Sequence, residues 1–290
     1  MKRIALALVF VPAAAFAQAP AGQTPPRPTA SVNTQPRVDV LGMTRPIEMH
    51  DSVWIEDLTM MEVRDLIKAG KTTAVIMTGG IEENGPYLTT GKHNNVLRVM
   101  GDPIARGLGN ALIAPIVTLE PGNPERVRTP GTILLSPETY RAVLTDMAVS
   151  LKTQGFKDVV MLGDSGGNIK PIQEVADALN AKWKAAGVDA RAHAIPEYYN
   201  YDEVEKFEES ALGIHEKMEG LHDDYYISAL IAVHDLNGVR LPERIKAGKA
   251  TINGVSLTPA GKTIANGQKI AAFRAEKTIA AVRKSIANGR

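Results

Sequence analysis

The chain has 290 residues, enough for one large domain or two small ones with a substantial core. With 44% hydrophobic residues, 22% charged residues and a net charge of +1, it has an ordinary soluble-protein balance that gives no support to nucleic-acid or anionic-membrane binding. It contains no cysteine, which excludes thiol catalysis, disulfides and cysteine-ligated metals.

Residues 1–17, MKRIALALVFVPAAAFA, combine a basic start at Lys2 and Arg3, a short apolar run and the small-residue signal Ala15-Phe16-Ala17. This pattern predicts a secretory signal peptide cleaved before Gln18, and hence an exported, periplasmic protein. The apolar run is too short to span a bilayer, and no later segment approaches that length. Cleavage removes two basic residues and leaves a net charge of about −1. Residues 18–50 are rich in Pro, Thr, Gln and Ala and predict a flexible leader. Residues 51–290 are expected to form one folded domain.

Strands and helices then alternate. Residues 58–70 have helical spacing and a closing glycine; residues 72–80, TTAVIMTGG, read as a buried strand entering a loop. A helix over 95–109 and a strand over 111–119 follow. Ser136, Pro137 and Glu138 open a helix that ends at Gly155, and KDVVML (157–162) is the next strand. Residues 169–187 read as a helix, 190–195 as a short strand, and 258–289 as one long amphipathic helix. The alternation predicts an α/β fold of three layers, with a mostly parallel central sheet covered by helices on both faces. Sites in that architecture lie at the C-terminal ends of strands, which selects two loops, residues 79–93 and 163–168.

The second loop, Gly163-Asp164-Ser165-Gly166-Gly167-Asn168, allows three readings. It matches the nucleophile segment of trypsin-like proteases, but those are all-β and here the serine lies between a strand and a helix. It fits G-x-S-x-G, with Ser165 as nucleophile and His222 and His234 downstream, although that pattern recurs by chance and leaves the first loop without a role. The third reading is a glycine-rich metal-site loop.

The third reading comes from several ordered motifs. Residues 79–93, GGIEENGPYLTTGKH, are similar to the pattern G-S-x-E-Q-H-G-P-H-L-P-L-x-T-D; residues 129–135, TPGTILL, to F-P-G-T-I-S-L; and residues 163–168 to N-G-H-G-G-N. Together they resemble the creatininase (creatinine amidohydrolase) family, clearly over 52–168 and more weakly through GLHDDYYISAL and the C-terminal tail. The resemblance implies a creatininase-like fold, a homo-oligomer (often a hexamer), and divalent metals that activate water against an amide-type C–N bond.

Residue by residue, the family's first glutamate stands as Glu82. The histidine two positions on is Asn84, the bridging aspartate is His93, and the histidine of the last motif is Ser165, with Asp164 new beside it. The resemblance therefore implies one metal per chain, on Glu82, His93 and Asp164; two carboxylates and an imidazole suit zinc, with manganese or iron as alternatives. His222, Asp223 and Asp224 lie near the family's remaining active-site groups and are candidates for a fourth ligand or general base. Asn84 and Tyr87 are expected to line the pocket, and Ser165, Gly166, Gly167 and Asn168 to offer oxyanion donors. The expected activity is metal-dependent hydrolysis of a small, cyclic amide, a formamide or a lactone. Two rivals remain: a serine hydrolase using Ser165, and a catalytically silent periplasmic relative that binds a small ligand.

Overall fold

A computed structural model describes residues 39–289. The expected signal segment, and the expected leader up to residue 38, lie outside the described residues. In chain order the elements are α1 (Met60–Lys68), β1 (Thr73–Thr78), α2 (Lys92–Leu108), β2 (Ala111–Ile113), β3 (Glu120–Pro121), β4 (Leu134–Leu135) and α3 (Pro137–Gln154). They continue as β5 (Asp158–Gly163), α4 (Ile169–Ala185), β6 (Arg191–Ala194), α5 (Tyr201–Phe207), α6 (Tyr225–His234), α7 (Leu241–Lys246), β7 (Thr251–Ile252), β8 (Val255–Ser256) and α8 (Ala260–Gly289).

The central sheet runs β2-β1-β5-β6 with every pairing parallel. All six residues of β1 and all six of β5 are buried, as strands covered on both faces require. Alternate side chains go to opposite sides. Val75, Met77, Val160 and Leu162 join α2, α6 and α8 in one core; Ala74, Ile76, Val159 and Met161 join α1, α3 and α4 in the other. The expected α/β layering is thus found. In the β1–β5 register Thr78 faces Gly163, so the chain leaves both strands at the same level, and the two loops selected from the sequence meet there.

The predicted helices form with their expected ends. Thr59 and Glu62 make a reciprocal capping box on α1, and Ser136 caps α3, whose chain turns at Gly155 with φ 113. Three departures have local causes. The strand expected over 111–119 stops at Ile113, because Pro115 has no N–H for the ladder; Val117 returns to bond Met77 O at 3.0 Å. The apolar stretch that becomes α6 is buried on all sides, so it carries no helical period to read. The last part of the expected leader, residues 39–50, forms no helix or strand but is tied down: Arg64 donates to Leu41 O and Met43 O at 2.8 and 2.7 Å, and His50 N donates to Glu62 at 2.6 Å. Helix α8 crosses α6 at Gly267, where any Cβ would lie 2.1 Å from Ala229 O. Among the described residues no helix is long and apolar enough to cross a membrane.

Candidate functional site

The site forms where β1 and β5 end. After β1, Gly79 and Gly80 let other groups come close: a Cβ on Gly79 would meet Asn94 Oδ1 at 2.3 Å, and one on Gly80 would meet the Glu120 carboxyl carbon at 2.9 Å. Glu82 follows, with its backbone N–H bonded to Thr90 O at 3.0 Å. The loop is closed by Asn84, whose amide donates to Glu82 O and Thr89 O at 2.9 and 3.0 Å. Helix α2 begins at Lys92, earlier than the sequence predicts, so Lys92 and His93 occupy its first turn and both are buried. Cations are disfavoured at a helix N-terminus. Carboxylates are therefore needed beside them.

Glu82 and Asp164 supply the compensating charge. His93 Nε2 lies 2.7 Å from Glu82 Oε1, and its Nδ1 lies 2.9 Å from Asp164 Oδ2. Lys92 Nζ is 3.3 Å from Glu82 Oε1 at one end, and Arg274 Nη2 from α8 is 3.2 Å from Asp164 Oδ1 at the other. The result is one buried chain, Lys92–Glu82–His93–Asp164–Arg274. Burial alone would lower the His93 pKa, but its hydrogen bonds to Asp164 and Glu82 raise it to about 9. Burial would raise Glu82, yet the bond from His93 and the charges of His93, Lys92 and His222 bring it to about 2. These bonds on both ring nitrogens favour the protonated imidazole.

Glu120 stands beside this chain, at the start of β3. Its Oε2 accepts a short hydrogen bond from Ser165 Oγ. Burial raises its pKa, and neighbouring Glu82 adds to the rise. Asn168 fixes the second loop: its Oδ1 accepts from Ser165 N at 2.8 Å and its Nδ2 donates to Gly79 O at 3.3 Å, tying the two loops together. Gly166 lies against Tyr199, with a would-be Cβ 3.3 Å from the phenol oxygen. At the mouth, exposed His222 donates from Nδ1 to Glu83 O at 3.0 Å and points Nε2 toward Glu82 Oε1 at 3.8 Å.

The structure therefore brings Glu82, His93, Asp164, Ser165 and His222 together, but in an arrangement unlike the one expected. Glu82 and Asp164 sit on opposite nitrogens of one imidazole, and a single ion cannot use both edges of that ring. Among the described residues no three His, Asp or Glu side chains converge to hold a metal. As placed, the three expected ligands do not point at one common centre.

Other expectations are also redirected. Asn84 spends its amide on the loop backbone, and Asn168 is a buried tie between loops. Tyr87 lies under Arg244, its ring centre 4.3 Å from the guanidinium carbon. Asp223 is buried against Gly85; burial raises its pKa and the charge of Arg244 offsets part of the rise. Asp224 bonds Asn253 at 3.4 Å and faces a separate acidic cavity. Sequence reasoning missed Lys92, Glu120 and Arg274. Two of them left a signal: Glu120 is an acid before Pro-Gly at the end of an apolar run, and Arg274 follows Ile270 by four residues on the buried stripe of α8. A larger cavity, about 740 Å³, opens at the other end of β5 and β6, beside Lys157 and Arg191, and contains none of these groups.

Comparison with known proteins places this geometry. The sequence pattern of the creatininase (creatinine amidohydrolase) family matches residues 56–282. Among curated proteins none gives a significant match. A solved creatinine amidohydrolase (creatininase) is similar with a TM-score of 0.55 at 18% identity, covering 82% of this chain and 96% of that one; a manganese form of creatininase gives the same values. A zinc–zinc form of a creatininase mutant is similar at 0.54 and 17% identity, over 82% of this chain and 97% of that one. A putative creatinine amidohydrolase from Bacteroides fragilis gives 0.50 at 15% identity, over 83% and 95%. At these identities the likeness shows the shared fold.

Proposed function

The chain belongs to the creatininase (creatinine amidohydrolase) family, and from that membership we propose that it is a hydrolase of a small amide whose site uses fixed side-chain charges in place of a metal. The observation that carries this reading is the buried chain Lys92–Glu82–His93–Asp164–Arg274. Solved relatives hold manganese or zinc. In this chain, the Glu82 and Asp164 carboxylates are neutralised by three side-chain cations.

Within that reading Glu120 is the general base. Its raised pKa gives a carboxylate more basic than usual, at the ends of the two loops. Glu120 takes a proton from water as the oxygen adds to the substrate carbonyl. The C–N bond then breaks, and the leaving nitrogen receives that proton back from Glu120. Ser165 holds Glu120 in place through its hydroxyl rather than acting as nucleophile. The Ser165–Asn168 loop, where a Cβ on Gly167 would lie 3.8 Å from Glu120 Oε2 and 3.9 Å from Ser165 Oγ, is the oxyanion site of this reading. Lys92 and His93 keep Glu82 ionised, and Glu82 in turn holds Glu120 basic. The substrate class is a small cyclic amide or a formamide, with lactones as a secondary class because the attack does not require nitrogen. Export by the signal segment 1–17 and assembly as a homo-oligomer belong to the same proposal; N-terminal sequencing of the secreted protein and sedimentation test them.

The test is a hydrolysis screen of cyclic amides, formamides and lactones with the mature chain, with and without a strong chelator. Turnover that survives the chelator and falls at least about 100-fold in Glu120→Gln supports the reading. Turnover abolished by the chelator and restored by zinc or manganese overturns it. One observation favours a second reading, ligand binding without turnover: every charge in the buried chain already has a partner within 3.3 Å. Binding of an amide with no product in the same screen selects it.

A further inference from the structure

A second polar cavity lies away from the buried chain, beneath the turn that follows α5. It measures about 130 Å³ and is lined by Glu205, Glu208, Glu209, Glu216 and Asp224, with Met218 at its rim. Neither Lys nor Arg is among its lining residues. Basic side chains stand outside it: exposed His215 is 3.7 Å from Glu209, and Lys92 and His222 lower the pKa of Asp224 from a distance. Residues Glu208–Leu212 form a π-helical turn closed by Gly213 in the left-handed region, an insertion that often marks functional positions.

Glu208 is the informative residue. It is only 2% exposed, and among the described residues its Oε1 has no hydrogen-bond partner although it lines the cavity. Leaving a buried carboxyl oxygen unpaired is costly. Glu216 lies beside Glu208 and shares a side-chain hydrogen bond with it, while its Oε2 accepts from Tyr225 N at 2.8 Å and Asn253 Nδ2 at 2.7 Å, so its position is fixed. Burial, and then the nearby Glu216, Asp224 and Glu205, push Glu208 up to about 9. The cavity thus presents a buried acid whose ionised form a cation would stabilise.

We propose that this cavity binds a small organic cation, an alkylguanidinium or alkylammonium, with Glu208 as the central acceptor. The carboxylates surround the space without three of them converging as metal ligands do. A spread of acceptors matches a ligand with several N–H donors pointing in different directions. The apolar wall of Ile214 and the Met218 thioether fit a short carbon stem. The cation is either a free small molecule or a Lys or Arg side chain of a second copy of this chain. The proposal stands independently of the catalytic reading above.

The experiment is calorimetric titration of the mature chain with methylguanidinium chloride at fixed ionic strength, with light scattering on the same samples. Saturable binding of one equivalent is expected, with proton release at neutral pH as Glu208 ionises and at least about tenfold weaker binding in Glu208→Gln. That variant keeps the neutral shape of the protonated acid, and its melting curve verifies folding. Binding with no change in mass identifies a free-ligand site; binding that dissociates an oligomer identifies the side chain of a second copy. Tetramethylammonium, which has no N–H donor, is expected not to bind. Equal binding by tetramethylammonium, unchanged affinity in Glu208→Gln, no binding of methylguanidinium, or tight binding of calcium alone would each overturn the proposal.

Discussion

Replacing His93 by Asn tests the charge state at the centre of the site. Asn preserves polarity and some hydrogen bonding but cannot carry the proton that joins Glu82 to Asp164. In the folded protein the His93 pKa is about 9, against an ordinary value of 6.5. A group raised on folding contributes stability that is complete below its unfolded pKa and disappears as pH rises through the folded one. The relevant window is therefore pH 6.5 to 9. Proton linkage puts the contribution at about 3 kcal/mol at pH 6 and close to zero at pH 10. Urea unfolding of the wild type and His93→Asn at a series of pH values measures it directly. The stability gap between the two proteins should shrink by about 3 kcal/mol over that range, apart from any constant packing difference. A gap constant to within about 0.5 kcal/mol would refute the reasoning. His93 would then be neutral in the folded state, with one ring nitrogen free to bind a metal.

Glu82 should show the opposite pH dependence. Its pKa is lowered from 4.5 to about 2, so its contribution is complete above pH 4.5 and lost as pH falls through 2; Glu82→Gln should flatten acid unfolding in that window by up to about 3 kcal/mol. Lys92→Met removes a cation that is 2% exposed and bonded to both Glu82 and His222 O, and should destabilise the fold by about 1–3 kcal/mol in urea titrations, with Glu82 still held by His93. Asn168→Ala breaks the tie between the two loops at both ends of a fully buried amide; a loss of about 2 kcal/mol is expected, with kcat reduced more than KM changed. Gly267→Ala would place a methyl 2.1 Å from Ala229 O, so helices α6 and α8 must separate, and calorimetry should show destabilisation of about 1–3 kcal/mol.

The sheet and its main helices were legible because their apolar periods are strong and their ends carry Ser, Pro and Gly signals, as at Ser136 and Gly155. Parallel alternation also put the two loops at one edge of the sheet, where β1 and β5 do end in register. What the sequence did not disclose is where side chains point. Glu82, His93 and Asp164 were expected to surround an ion; instead the ring lies between the carboxylates, because α2 starts at Lys92 and turns His93 inward. Arg274 lies 110 residues from Asp164 in the chain, and only the packing of α8 across the sheet brings them into contact. Helix α6 was invisible because eight successive residues, Tyr225 to Ala232, are all buried and show no face.

The most direct measurement is the metal content of the purified mature chain, by elemental mass spectrometry after incubation with zinc and manganese and removal of free ions. If Lys92, His93 and Arg274 replace the metal, the wild type should retain only substoichiometric amounts, the same as Glu82→Ala and His93→Ala. About one zinc or manganese per wild-type chain, lost in both variants, would contradict it.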